Sequence, residues 1–400
     1  MSDINKRVPK RRFMEFNNAD AWEQRKLGEL GEVTTGKAFS STSFDNQGEY
    51  LVITNKNISD SSRSQNIITN RISISDDEII QRYRLDGENI LVTMDGVNLG
   101  KTAMYSNANA LLAQRVGRIK SNQLEFIYQI TSSNTFLRTM QTLSVGNAIK
   151  HISLKQISEY SSLGPKDIIE RKKIGSFFKK LDNTIALHQR KLEKIKALKT
   201  AYLSELFPAE GETKPKRRFA GFTDDWEQRK LGELAKITMG QSPEGVNYTD
   251  NPRDYVLVQG NADMQNGHVV PRVWTKQITK TAKKGDIILS VRAPVGDVGK
   301  TNYDVVLGRG VSALEGNEFI FQLLSKMKAE NYWFKYSTGS TFESINSNEI
   351  KEAIVSSPEK QEQMKIGVFF KQLDSTIALH QRKLQKLQNI KKAYLNEMFI

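Results

Sequence analysis

Between residues 165 and 207 the apolar positions recur in steps of four and three. Ile174, Phe178, Leu181, Ile185, His188, Leu192, Ile195, Lys199, Tyr202 and Leu206 form one stripe, apolar at nearly every a and d position of a heptad. The same stripe returns at Ile366, Phe370, Leu373, Ile377, His380, Leu384, Leu387, Lys391, Tyr394 and Met398. Pro165 and Pro358 lie just upstream and Pro208 just downstream of the first copy, where proline suits a helix boundary. The pattern predicts two helices, residues 165–207 and 358–400, each of about 40 residues and roughly 60 Å long. Neither can bury its stripe alone, so they are predicted to pack on each other as a coiled coil. Antiparallel packing is favoured: it brings His188 to His380 and sets the aromatic end of each helix against the isoleucine end of the other. Parallel packing would need the intervening segment to span the whole rod. The two histidines then fix the register as buried polar residues, or else sit at a solvated edge.

The stripe belongs to a longer duplication. KKIGSFFKKLDNTIALHQRKL from Lys172 is matched by MKIGVFFKQLDSTIALHQRKL from Met364, PKRRF at Pro9 by PKRRF at Pro215, and WEQRKLGEL at Trp22 by WEQRKLGEL at Trp226. The tryptophans are 204 residues apart and the stripe histidines 192, so the first interior is longer by 12. A constant frame carrying two different heads is implied. Each head mixes β-rich runs with helical spacing: YLVITNKNI, GENILVTM and LEFIYQITSSNTFLRTMQTL in the first, YVLVQGNAD, GDIILSV and FIFQLLSKMKAENYWFKYS in the second. Each ends in a glycine-bearing loop, 144–153 or 337–346. The predicted organisation is a mixed α/β head over 1–164, a helix over 165–207, a linker at 208–216, a second mixed α/β head over 217–357 and a helix over 358–400. An internal pseudo-twofold repeat relates the halves.

Composition narrows the function. The 400 residues suffice for two or three domains and contain no cysteine, which excludes disulfides, thiolate zinc sites and a cysteine nucleophile and agrees with a cytoplasmic setting. No run of 18 apolar residues exists, and the basic N-terminus lacks the apolar core of a secretory signal. Of four histidines two lie on the stripes, leaving little for a metal site. The net charge of +14 suits a polyanionic partner such as nucleic acid, or is simply solvated.

Catalytic chemistry finds no support. NLGKT (98–102) and DVGKT (297–301) look like the end of a phosphate-binding loop, but Asp95 and Pro294 stand where that motif needs its first glycine. Both are expected to be tight β-turns that leave Lys101 and Lys300 free to touch an anion. No nucleophile, carboxylate or metal constellation has persuasive spacing. The candidates for base or phosphate contact are polar and basic residues in or beside glycine loops: Lys101, Thr102, Arg115, Arg118, Lys120, Asn147, Lys150 and His151 in the first head, and Arg292, Lys300, Thr301, Arg309, Ser340 and Thr341 in the second. Arginine can bond guanine bidentately and asparagine adenine, while lysine more often holds phosphate. The basic run from Arg171 to Lys199 is a solvated helix face, or one that meets phosphates or an acidic partner.

Taken together, the repeated WEQRKLGEL after RRF, the GENIL or GDIIL strand before a GK pair, and the proline-led helix resemble the specificity subunit of bacterial type I restriction–modification systems. The pattern covers the chain twice. GENIL departs from GDIIL by placing Glu88 where the second head has Asp286. The resemblance implies a non-catalytic subunit, without cofactor of its own, in which each head reads half of an asymmetric double-stranded DNA site. The two helices would space the heads as an antiparallel pair. Two methyltransferase subunits that bind S-adenosylmethionine and two restriction subunits that use ATP and magnesium would be its partners. A stand-alone DNA-binding protein and a coiled-coil scaffold with protein-binding heads remain the other readings.

Overall fold

A computed structural model describes residues 7–58, 69–146, 150–336 and 344–400. The chain forms two compact units, Met1–His188 with Lys383–Ile400 and Gln189–Arg382. The division differs from the five-part organisation expected from sequence. Each unit holds one head, the start of one long helix and the end of the other. The reason is packing: a heptad helix alone has nothing to bury its stripe against.

The first long helix runs Ile168–Glu205 and the second Lys360–Met398. At the first helix start, Asp167 Oδ1 accepts from the Ile169 amide at 2.7 Å, satisfying one of the donors a helix leaves open there. In the first unit Tyr394 meets Phe177 edge-to-face at 5.0 Å between ring centroids, and Phe399 stacks on Phe126 at 5.7 Å and packs by Trp22 and Phe178. The second unit repeats the arrangement with the other copy of each residue. Tyr202 meets Phe369 at 5.0 Å, and Phe207 stacks on Phe319 at 5.2 Å beside Trp226 and Phe370. In each unit the end of one helix therefore lies on the start of the other, which makes the pairing antiparallel. Lys391 Nζ reaches Asp182 Oδ1 at 2.6 Å in the first unit, and Lys199 Nζ reaches Asp374 Oδ1 at 2.7 Å in the second. All stripe positions are buried or half-buried, His188 and His380 among the half-buried.

Two glycines let the helices lie this close to the heads. A Cβ on Gly175 would fall 2.7 Å from the Phe126 amide nitrogen, and one on Gly367 2.9 Å from Glu318 Cβ. The PKRRF repeats hold the same junction. Arg12 Nε and Nη2 each donate to Glu170 at 2.7 Å, and Arg218 donates to Glu362 at 2.8 and 2.7 Å. Both glutamates are buried in the first turn of their helix.

The first head is built on a six-stranded sheet, in spatial order Glu32–Thr35, Val116–Lys120, Arg84–Thr93, Thr102–Leu112, Tyr50–Ile53 and Arg71–Ile72. The second head splits the corresponding strands between two sheets. One runs Lys236–Met239, Val311–Glu315, Ile287–Ser290, Val298–Lys300, His268–Val269, Met264–Gln265. The other runs Tyr248–Thr249, Val273–Thr275, Tyr255–Val258, Val305–Leu307, Lys280–Ala282. In each head the WEQRKLGEL strand pairs with a strand just before the long helix, Glu23–Lys26 with Ser161–Gly164 and Glu227–Lys230 with Ile354–Ser357. That motif is thus a clasp that closes the head, and its tryptophan is buried in both copies.

The segment 208–216, expected to be a linker, is tied into the second unit. The Trp226 amide donates to the Thr213 carbonyl at 2.8 Å and Ser356 Oγ to the Glu212 carbonyl at 3.1 Å. Its charged, proline-rich composition hid this, because the anchoring bonds use the main chain. Among the described residues no helix is long and apolar enough to cross a membrane.

Candidate nucleic-acid interface

Three main-chain hydrogen bonds recur at equivalent places in the two heads and set one on the other. Ala113 N–H donates to Ile53 O at 2.9 Å, as Gly308 N–H does to Val258 O at 2.7 Å. Met94 N–H donates to Arg115 O at 3.0 Å, as Val291 N–H does to Gly310 O at 2.9 Å. Ile152 N–H donates to Met94 O at 2.8 Å, as Ile345 N–H does to Val291 O at 3.0 Å. This frame makes Asp95 the counterpart of Arg292, Gln114 of Arg309 and Arg115 of Gly310.

In the second head the end of the Tyr255–Val258 strand, the loop after Ile287–Ser290 and the turn before Val311–Glu315 converge. They enclose a cleft of about 190 Å³ lined by Ser242, Gln259, Asn261, Arg292, Arg309 and the backbone of Gly260, Ala293 and Gly310. Arg292 and Arg309 are exposed, and neither guanidinium has a side-chain partner among the described residues. The Arg309 amide is held by Ser242 Oγ at 3.1 Å. No acidic side chain lines this cleft. Two unpaired cations over amide and hydroxyl groups suit an anionic or acceptor-rich ligand.

The same place in the first head has a different character. Asp95 is buried and accepts from Asn55 Nδ2 and, at 3.0 Å, from Arg115 Nη1. Arg115 is exposed and adopts a left-handed backbone with φ of 66°, a conformation its counterpart Gly310 does not take. Asp95, Asn55 and Arg115 thus form a self-satisfied cluster.

The other sequence candidates divide by environment. Arg118 is buried, its guanidinium donating to Thr34 Oγ1 at 3.2 Å and to the Arg84 and Arg82 carbonyls; burial pulls its pKa down. It braces the sheet from within. Thr102 and Thr301 are also buried, their hydroxyls donating to the Thr131 and Tyr303 carbonyls at 2.7 Å each. Lys120 lies 4.0 Å from Asp86, and Lys150 and His151 are exposed, the His151 backbone pairing with Val145. Asn147, Ser340 and Thr341 lie outside the described residues.

The two GKT triplets prove not to be equivalent. In the first head Gly100, with φ of 82°, and Lys101 close a turn, as expected, and Lys101 is half-buried. In the second head the equivalent turn ends at Gly296, with φ of 90°: Gly100 N–H donates to Thr93 O and Gly296 N–H to Ser290 O, both at 2.9 Å. DVGKT continues into the Val298–Lys300 strand, and Lys300 Nζ is paired with Glu318 at 2.5 Å. Lys300 is therefore neither in a turn nor free, and Lys101 has Asp297 as its counterpart. GENIL and GDIIL are likewise one residue out of step, since Ile90 pairs with Ile119 as Ile287 does with Leu314. Asn89, not Glu88, stands in the place of Asp286, while Glu88 pairs with Lys179 at 2.7 Å.

On the first long helix the basic run is partly consumed by structure. Arg171 is buried and bonded to Gln123, Lys173 pairs with Glu15, and Lys179 and Lys199 are paired as described. Lys172, Lys180, Lys191, Lys194 and Lys196 are exposed. Sequence reading missed Asn55, Asp95, Ser242, Gln259 and Asn261. The available signal was the polar tail on each YLVI or YVLV strand.

The family model described as the type I restriction modification DNA specificity domain matches residues 19–197 and again 223–389. A protein of Methanocaldococcus jannaschii described as a putative type I restriction enzyme MjaX specificity subunit is 25% identical over 404 residues, 94% of this chain and 92% of its own. The MjaVIII specificity subunit of the same organism is 21% identical, covering 94% and 91%. The crystal structure of a type I restriction–modification S subunit from M. genitalium matches with a TM-score of 0.68 at 16% identity, over 98% of this chain and 99% of that one.

Proposed function

The chain belongs to the family of type I restriction–modification DNA specificity proteins and is the sequence-specificity, non-catalytic subunit of such a complex; on that basis we propose that its two heads each read one part of an asymmetric, bipartite duplex site. The reading rests most heavily on one observation. Around this rim the two heads share equivalent main-chain hydrogen bonds, yet at the same point one carries Asp95 and the other Arg292. A common scaffold with a buried, paired carboxylate in one head and an exposed guanidinium in the other suits two different half-sites, and a site read this way need not be palindromic.

The long helices act as the ruler between the heads, and methylation and cleavage are performed by partner chains. Two methyltransferase subunits supply S-adenosylmethionine chemistry, and two restriction subunits supply ATP- and magnesium-dependent translocation and cutting. The complex works on DNA in the cytoplasm.

Methylome sequencing of cells carrying the full system, with and without this chain, tests the reading. A two-part adenine-methylation motif that depends on the chain is expected. Its absence, together with failure of methyltransferase subunits to co-purify, would leave a stand-alone DNA binder or a protein-binding scaffold. Affinity for duplex should also fall steeply with salt as counterions are released; an affinity that hardly moves would argue against DNA as the partner.

A further inference from the structure

We infer that Arg292 and Arg309 specify a guanine in the half-site read by the second head, and that the first head, carrying Asp95 and Gln114 at those two positions, reads its half-site without that pair. The inference deepens the DNA-reading function proposed above and rests on it.

Four observations carry it. Arg292 and Arg309 line one cleft and are exposed. Neither has a side-chain partner among the described residues, whereas Arg118, Arg115, Arg12 and Arg218 are all engaged. Their backbones are fixed: Arg292 forms a bridge with Ser344, and the Arg309 amide is bonded to Ser242. An arginine on an anchored backbone with a free guanidinium is suited to directional recognition, because its rigid fork matches two acceptors at once. Guanine offers that pair, O6 and N7, on its major-groove edge. Gln259 and Asn261 on the same cleft wall add amide groups for a neighbouring base.

The first head supplies the internal contrast. Among the described residues the arginine at this rim is Arg115, which is tied to Asp95, so a guanine there would have to break an existing ion pair. Asn55, bonded to the same carboxylate, shares that fixed cluster. Differences between the half-sites thus trace to two exchanges, Asp95 for Arg292 and Gln114 for Arg309.

The test uses the full-length chain in its complex, with R292A, R309A, R292K and R309K compared by methylome sequencing. Exposed side chains are changed, and the melting temperature of each variant checks that the fold is retained. The expected result is that one guanine position, in one half-site only, loses roughly ten- to a hundredfold of its discrimination, while the other half-site stays unchanged. Lysine is expected to restore binding strength without restoring the guanine, since it lacks the fork. Three results overturn the inference: an unaltered motif, a uniform loss of methylation with full restoration by lysine (phosphate holding), or relaxation of both half-sites. If the wild-type complex yields no bipartite motif at all, the DNA-reading function itself fails and the inference falls with it.

Discussion

Lys391 donates to Asp182 across 2.6 Å, joining the last turns of the second long helix to the opening turns of the first. Lys199 and Asp374 make the same bond at 2.7 Å with the roles of the repeats reversed. The lysines fall on stripe positions where a heptad would ordinarily carry an apolar residue. Each meets the aspartate of an LDN or LDS tripeptide, so the polar interruptions of the stripe specify partner and direction together.

Asp182 has 10% of its side chain exposed and Lys391 26%, so this pair should contribute more than a surface bridge. Asp182→Ala and Lys391→Ala are each expected to destabilise the fold, with a coupling of about 1 kcal/mol between them in a double-mutant cycle. Denaturant unfolding of both single variants and the double variant measures it. A coupling of zero would show that the pair is incidental.

Arg12→Ala should be more damaging. It strands Glu170, whose side chain is 1% exposed, as an uncompensated buried charge, a loss of about 3–5 kcal/mol. Arg12→Lys should recover only part, because one ammonium cannot make both bonds. The equivalent Arg218→Ala, next to Glu362, should behave alike. Thermal melts of the variants, compared with Arg12→Ala combined with Glu170→Gln, separate lost pairing from buried charge.

Phe207 and Phe399 fill matching places, but Phe207 is 1% exposed while Phe399 is half-buried. Phe207→Ala should cost about 3–5 kcal/mol, and Phe399→Ala less. Hydrogen exchange would localise each loss to the unit that houses the ring. Equal losses would contradict the difference in burial.

Adding seven residues to both long helices, after His188 and after His380, lengthens each by about 10.5 Å, or about three base pairs of duplex. The gap between half-sites is expected to widen by that amount, with each half-site unchanged, as read by methylome sequencing. An altered half-site with an unaltered gap would refute the ruler.

The long helices, the duplication and the mixed heads were legible because their signals are local. A stripe such as Ile174, Phe178, Leu181 declares its period within three turns. What escaped was whatever depends on residues far apart in sequence. The Arg292–Arg309 cleft is assembled from four separate stretches, so its polar wall at Gln259 and Asn261 had no motif to announce it. The GKT triplets misled for the opposite reason: identical letters fell at different positions of the frame, and only hydrogen-bond register revealed it. Thr102 and Arg118 looked available because sequence does not show which side of a strand faces inward when both faces are covered. PKRRF showed only as a repeat, and the last arginine of each copy, Arg12 or Arg218, proved to be a clamp on Glu170 or Glu362.

The first unit takes in Lys383–Ile400, whereas the second is made wholly of Gln189–Arg382. During synthesis from the N-terminus, the later half of the polypeptide therefore has every part it needs before the earlier half does. The N-terminal head must wait, its Trp22 and Phe126 without their capping ring, until Phe399 has been made. Order of translation and order of completion run in opposite directions in this molecule, and a premature stop before Phe399 would injure the head made first.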